Sequence, residues 1–262
     1  MTGGEHHRGG RPRRDDGAAR QRRSRQADAP QDNRGQRWAR GPVGPELPPE
    51  AQLDLLDRPV RDAVSGLGGT LAVVVGRHLA AAGLLLDEDP VAALEHALVA
   101  KAKAGRLAEV REVVGVVAYE AGDFALARSE LRAARRMTGR GDLVALLADC
   151  ERGLGQPERA LEVAASVDVR QLDPDVQIEL AIVVSGARSD MGQQEAAVQA
   201  LEIPLLRAGR TVAGQPRLWY AYAQALLAVN RNAEAAEFFR RVALVDVDGE
   251  TDAADRAAEL LR

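Results

Sequence analysis

The chain has 262 residues, of which 46% are hydrophobic and 28% are charged, and its formal net charge is −4. This length is sufficient to bury a full core, and the composition is that of a soluble protein. Aromatic residues make up only 3% of the chain, while Ala, Leu, Val and Arg dominate, which favours closely packed helices over sheets. The single cysteine, Cys150, excludes an intramolecular disulfide and a thiolate metal cluster, so nothing points outside the cytoplasm.

Two segments have some features of targeting or membrane signals. The arginines near the N-terminus are not followed by an apolar segment, so the secretion-signal pattern is incomplete. The most apolar stretch, residues 71–86, has Arg77 and His78 at its centre and is interrupted by Gly76 and Gly83. We therefore expect a buried helix there and no association with a membrane.

Residues 1–45 form a segment of opposite charge to the rest of the chain. Eleven arginines against five carboxylates give this segment +6, so the remainder carries −10. Trp38 and Val43 are its only large apolar residues, too few to offset the conformational entropy of folding. We expect a disordered basic arm before a folded domain of residues 46–262. The arm has two interpretations, a solubilising tail or a nucleic-acid-binding element. Its candidate binding residues are Arg11, Arg13, Arg14, Arg22, Arg23, Arg25, Arg37, Trp38 and Arg40.

From Leu71 onward, apolar residues recur at helical spacing between short polar breaks, as helical hairpins require. The clearest unit spans residues 111–134. In it Gly115 is a small residue that lets two helices approach, Gly122 ends the first helix, and Asp123 can cap the second. Ala127 faces the close crossing of the two helices.

The same register recurs along the chain. A turn position is followed five residues later by an alanine in five units, and a random Ala-rich helix has no reason to keep that phase. Asp89 and Gln156 are the predicted caps of the second helices that begin with Pro90 and Pro157. The turn positions are Glu88, Gly122, Gly155, Gly192 and Asn230, and the alanines are Ala93, Ala127, Ala160, Ala197 and Ala235.

These units resemble the tetratricopeptide repeat (TPR), a pair of antiparallel helices of about 34 residues. The resemblance covers residues 46–262 and is to the Ala- and Arg-rich bacterial type with a basic leader. It implies an all-α, right-handed superhelical solenoid of about five helix pairs, with capping helices at residues 57–64 and 252–262. Longer spacings near Pro204 and residues 209–214 predict an extended loop between the fourth and fifth repeats. Members of the family are scaffolds that bind unlike partners, so the resemblance names no ligand.

The sequence contains no nucleophile, acid–base pair, metal cluster or phosphate cradle at a useful spacing. We therefore expect no enzymatic activity, no cofactor or metal, and no small-molecule substrate. The glycine-rich residues 66–70 are interpreted as a turn, because no strand precedes them and no lysine follows. His78 and His96 are interpreted as packing or surface residues, and Cys150 as a small buried hydrophobe.

In the family, the first helix of each repeat lines a concave groove. The resemblance places there Glu109, Glu112, Tyr119, Glu120, Asp142, Asp149, Arg152, Glu179, Asp190, Tyr220 and Gln224. The middle of this set is acidic, which favours a basic or extended peptide of a protein partner. The second helices carry Arg128, Arg132, Arg135, Arg136, Arg159, Arg240 and Arg241, predicting a more basic outer face. Three alternatives stay open: both faces are merely solvated, the arm anchors the chain on nucleic acid or ribosomes, or the arm itself occupies the acidic groove.

Overall fold

The computed structural model describes residues 44–208 and 212–260, and within these ranges the chain is helical without any strand. Residues 1–43 lie outside them, so the predictions made for the basic arm stay predictions. Three short 3₁₀ helices occur at Leu53–Leu55, Val169–Gln171 and Pro204–Arg207. The α-helices in the described ranges are α1 (Arg58–Ser65), α2 (Gly69–Leu85), α3 (Pro90–Ala104), α4 (Ala108–Glu120), α5 (Phe124–Thr138), α6 (Val144–Gly153), α7 (Pro157–Ala165), α8 (Pro174–Asp190), α9 (Gln194–Leu201), α10 (Gln215–Ala228), α11 (Asn232–Ala243) and α12 (Ala253–Leu260).

The helices form five successive hairpins, α2–α3, α4–α5, α6–α7, α8–α9 and α10–α11. Each second helix also packs on the first helix of the next hairpin, which generates a helical solenoid. Helix α1 packs on α2 at one end, and α12 packs on α11 at the other. The predicted all-α architecture and both capping helices are confirmed. None of the helices described here is both long enough and apolar enough to cross a membrane.

Small residues sit where the two helices of each hairpin cross. The five predicted crossing alanines, one in each second helix, are all at most 2% exposed. At Gly115 a Cβ atom would lie 2.6 Å from Leu131 Cγ, a separation that carbon atoms do not tolerate. The close approach expected from the repeat pattern is therefore present, and a larger residue at these positions would separate the helices.

The same left-handed turn ends four of the five first helices. Gly122, Gly155, Gly192 and Asn230 have φ values of 76°, 70°, 73° and 62°. In each turn the next amide bonds back to a carbonyl five residues earlier, as Asp123 does to Ala118 at 2.8 Å, which satisfies the last carbonyls of the helix. Glu88 differs: its amide and that of the next residue both bond to Leu85, so the α2–α3 turn contains no left-handed residue.

The predicted helix caps are only partly present. The carboxylates of Asp89 and Asp123 accept the amides of Ala92 and Leu126, both at 3.0 Å. The prediction for Gln156 was wrong, because its side chain makes no capping hydrogen bond. Its Oε1 atom is instead buried without a hydrogen-bond partner among the described residues.

The described part of the connection between α9 and α10 is folded rather than an extended loop. After the 3₁₀ helix Pro204–Arg207, the buried Gln215 side chain donates to the Leu205 carbonyl at 2.7 Å. Trp219 Nε1 donates to the Leu206 carbonyl at 2.9 Å. The extra residues between the fourth and fifth repeats therefore pack on α10, and residues 209–211 lie outside the described ranges.

Buried glutamates join neighbouring helices near the middle of the solenoid. Glu151 of α6, which is fully buried, accepts hydrogen bonds from Arg128 at 2.9 Å and Arg132 at 2.6 Å, both on α5. Glu130 of α5 is held in the same way by a lysine of α3 and an arginine of α4, each at 2.8 Å. Arg128 and Arg132, which the sequence placed on a more basic outer face, remain 26% and 48% exposed while their guanidinium groups neutralise a buried carboxylate.

Cys150 lies beside this cluster on α6. It is fully buried and packs with Ala118, Ala127 and Leu147, and burial raises the pKa of its thiol to about 12. The thiol is therefore protonated and inaccessible at neutral pH, and the interpretation of Cys150 as a small buried hydrophobe is confirmed.

Candidate functional site

The first helices lie next to one another, with α8 between α6 and α10, and two adjoining clefts open along them. The first, of about 410 Å³, is formed chiefly by α6 and α8 and reaches Tyr119 of α4; we call it the acidic cleft. The second, of about 820 Å³, lies between α8, α10 and the α11–α12 connection; we call it the apolar cleft. Both clefts are lined by Arg152, Glu179, Ile182 and Arg217, so they form one continuous groove.

Arg152 is the central charged residue of the groove. Its Nη1 donates to Asp149 Oδ1 at 2.7 Å, and its Nε donates to Asp190 Oδ2 at 2.8 Å. The guanidinium lies flat on α8 at Gly186, where a Cβ atom would come within 2.5 Å of Arg152 Cζ. Gly186 is therefore required for this position of the guanidinium. The Tyr119 hydroxyl donates to Asp149, and burial, followed by this bond, raises the pKa of Tyr119.

Two further arginines pair with carboxylates along the groove. Arg140, in the connection before α6, donates to Glu112 Oε2 at 3.1 Å and also to Asp142. Burial raises the pKa of Glu112, while Arg140 opposes that rise. Arg217 Nη2 lies 2.8 Å from Glu179 Oε1. The groove carboxylates are thus partly neutralised from within the chain.

The groove nevertheless remains acidic around α4, α6 and α8. Arg140, Arg152 and Arg217 are the cations that pair with its carboxylates. Eight carboxylates lie in or beside the acidic cleft, and their charges together with those of these three arginines sum to −5. They are Glu109, Glu112, Glu120, Asp142, Asp149, Asp175, Glu179 and Asp190.

The apolar cleft has a different lining. Ile182 of α8, Ala221 and Ala225 of α10, and Val242 and Val245 at the end of α11 provide its apolar surface. Its outer wall is the α11–α12 connection, which belongs to no first helix. The resemblance therefore gave no signal that this connection would border the groove.

The structure brings seven of the eleven predicted groove residues into the two clefts. Asp190 reaches the groove through Arg152 and Glu112 through Arg140, whereas Glu109 and Glu120 lie outside both cleft linings. The structure adds Arg140, which lies between repeats where no periodic pattern identifies it. The seven residues are Tyr119, Asp142, Asp149, Arg152, Glu179, Tyr220 and Gln224.

A buried histidine pair lies away from the groove, between α2 and α3. The Nδ1 atoms of His78 and His96 are 3.0 Å apart, so one ring must donate and the other must accept. Burial lowers the pKa of both, and the neighbouring charges of His96, Lys103 and Arg77 lower that of His78 further. The sequence indicated packing histidines but gave no signal of their contact. No group of three potential metal-binding side chains occurs in the described part of the chain.

Comparison with known proteins supports the fold. No family model matches the chain, and no curated protein sequence matches it significantly. The structure is similar to the crystal structure of TTC0263, a thermophilic TPR protein in Thermus thermophilus, with 20% identity and a TM-score of 0.55 over 71% of this chain and 98% of that chain. A similarity to Pseudomonas aeruginosa PilF has 18% identity and a TM-score of 0.48 over 71% of this chain and 82% of that chain. At such identities the first similarity shows the fold alone, and it confirms the TPR-like helical-hairpin fold expected from the repeats.

Proposed function

We propose that this chain, whose fold is that of the TPR proteins, is a non-catalytic scaffold that binds a basic, extended segment of a protein partner along its groove. The observation that carries this proposal is the local charge of −5 along α4, α6 and α8. A cleft with a net excess of one sign of charge attracts segments of the opposite sign and raises their rate of association.

The internal ion pairs leave acceptor capacity for such a segment. Arg140 and Arg152 are each shared between two carboxylates, and an ionised carboxylate has about four lone-pair sites. Lysine or arginine side chains of a partner can therefore bind the remaining oxygens without displacing the internal arginines. Each exposed pair contributes about 0–1 kcal/mol, so affinity requires several contacts and falls as salt rises.

A charge reversal in the groove tests the proposal. The probe is a short labelled peptide of alternating Lys and Ser, with binding followed by fluorescence anisotropy over a salt series. Asp175 is exposed and lines the acidic cleft, whereas Glu162 is exposed on α7 and lines neither cleft. We expect Asp175→Lys to weaken binding about fivefold at low salt, through loss of about 1 kcal/mol. Glu162→Lys changes the net charge equally but should leave affinity nearly unchanged. Equal effects would mean that the peptide senses only overall charge.

A second candidate function rests on the composition of residues 1–45. Their net charge of +6 and the arginines around Trp38 favour binding to nucleic acid or ribosomes. Residues 1–43 of this segment lie outside the described ranges, so the support is compositional. Binding of mixed nucleic acid to the full chain and to a chain lacking residues 1–45 would distinguish this function, because only the full chain should bind with a steep salt dependence.

A further inference from the structure

The two clefts of the groove differ in chemistry along its length. The eight carboxylates in or beside the acidic cleft lie on α4, α6 and α8 or, for Asp142, just before α6, whereas the apolar cleft is bordered by Asp246 and Glu250 of the α11–α12 connection. Helix α10, by contrast, has Arg217 as its single charged residue over Gln215–Ala228. The face of the groove that the first helices form therefore changes from acidic to apolar in the direction from α4 to α10.

The apolar cleft is large enough to bind side chains of a partner. Its volume of about 820 Å³ falls within the range of roughly 300–1,000 Å³ that is usual for ligand pockets. Val245 lines it and is 42% exposed, while the adjacent Leu244 and Val247 are 82% and 90% exposed. Val245 is thus an exposed apolar side chain of the cleft itself, whereas Leu244 and Val247 do not line the cleft.

The wall that carries Val245 is tied together by hydrogen bonds. The Asp246 carboxylate accepts the amides of Glu250 and Thr251, both at 2.8 Å, and the Thr251 hydroxyl at 2.6 Å. The Tyr220 hydroxyl donates to Asp252 Oδ1 at 2.6 Å and ties the connection to α10. A surface fixed in advance loses less entropy when it binds a partner.

We infer that the groove takes a partner segment of two parts, with lysines or arginines in the acidic cleft and aliphatic or aromatic side chains in the apolar cleft. This inference rests on the proposed function and specifies its partner. Charge complementarity identifies the first part, and the continuity of the two clefts places the second part on the same segment. An anionic partner is disfavoured, because Arg152 and Arg217 at the junction are already held by carboxylates of this chain.

Three peptides of equal length test the inference on the full chain. The first joins a Lys–Ser block to a block of Leu, Val and Tyr; in the second the apolar block is replaced by Gly and Ser; in the third the Lys residues are replaced by Ser. We expect the first peptide to bind at least about tenfold more tightly than either of the others. Its advantage over the second should persist at high salt, because apolar burial is not screened.

A matched pair of variants locates the apolar contact. Val245→Asp places a charge in the cleft, and Val247→Asp places the same charge two residues away, at a side chain that does not line the cleft. Val245→Asp should remove the advantage of the first peptide over the second while leaving the second peptide's affinity unchanged. Val247→Asp should leave the advantage intact. Both positions are partly or fully exposed and follow the end of α11, so folding is preserved, and circular dichroism checks this.

The possible failures are distinguishable. If none of the three peptides binds, the proposed function and this inference fail together. If the first and second peptides bind equally, the groove is an acidic site alone and only the inference fails. If Val245→Asp and Val247→Asp reduced the advantage of the first peptide equally, the apolar contact would lie outside the cleft. If sedimentation shows that the chain dimerises and Val245→Asp abolishes the dimer, a second copy covers the apolar cleft and the inference is overturned.

Discussion

Replacing Glu151 by Gln should destabilise the centre of the solenoid. The carboxylate is fully buried and accepts hydrogen bonds from Arg128 and Arg132. Hydrogen bonds to charged groups contribute about 1.5–3 kcal/mol each, so the loss of two gives an upper limit of about 3–6 kcal/mol. The Arg128 and Arg132 side chains are 26% and 48% exposed and can be rehydrated, and the amide oxygen of Gln keeps one weaker bond. We therefore expect the free energy of unfolding to fall by about 2–3 kcal/mol.

Urea denaturation followed by circular dichroism measures this loss, and a double-mutant cycle isolates its cause. Arg132→Ala should cost about 1–2 kcal/mol in the natural chain but less than about 0.5 kcal/mol when Gln occupies position 151, because the charge it neutralises is gone. Glu162→Gln on the exposed face of α7 is the control and should change stability by less than about 0.5 kcal/mol. The reasoning is refuted if Glu151→Gln is as harmless as Glu162→Gln, or if Arg132→Ala costs the same in both backgrounds.

Three further substitutions or conditions probe other features. Burial lowers the pKa of His78 and His96, so below about pH 6.5 the unfolded chain binds more protons than the folded chain, and stability should fall as the pH is lowered through that value. Urea midpoints measured at several pH values should therefore fall with pH, and His96→Leu should flatten that slope. Ala127→Leu should destabilise by about 1–3 kcal/mol through overpacking, whereas the exposed Arg136→Ala should stay within about 0.5 kcal/mol in thermal melts. Asn230 has φ of 62°, so Asn230→Ala should be about 1 kcal/mol less stable than Asn230→Gly in chemical denaturation; equal stability would contradict the left-handed turn.

The parts of the fold that the sequence predicted are those set by local constraints. A left-handed turn residue such as Gly122 and a crossing alanine such as Ala127 are required within one hairpin, and that requirement returns with each repeat. The pattern is therefore visible without knowledge of any long-range contact. The same reasoning explains why α1 and α12 were found, since the end repeats need a covering helix with a polar outer face.

The pairing of charged side chains could not be predicted in this way. Arg152 and Asp190 are 38 residues apart, and Arg140 and Glu112 are 28 apart, so their contact depends on how successive repeats are rotated. Helical periodicity assigns each residue to a face but does not say which opposite charge lies across the interface. For this reason the sequence placed Arg128 on a basic outer face but did not indicate that its guanidinium contacts buried Glu151.

Cys150, the single cysteine of the chain, provides a natural probe of opening at the centre of the solenoid. Its thiol is fully buried between α6 and the preceding hairpin, so a thiol reagent can modify it only after α6 has separated from its neighbours. The labelling rate therefore reports the free energy of that local opening. Trp219, which is bonded to the α9–α10 connection, reports the last repeat by its fluorescence. The units of a solenoid contact only their neighbours, so equal free energies of opening at Cys150 and at Trp219 would indicate one cooperative unit. A lower free energy at Trp219 would indicate that the chain frays inward from its C-terminal hairpin.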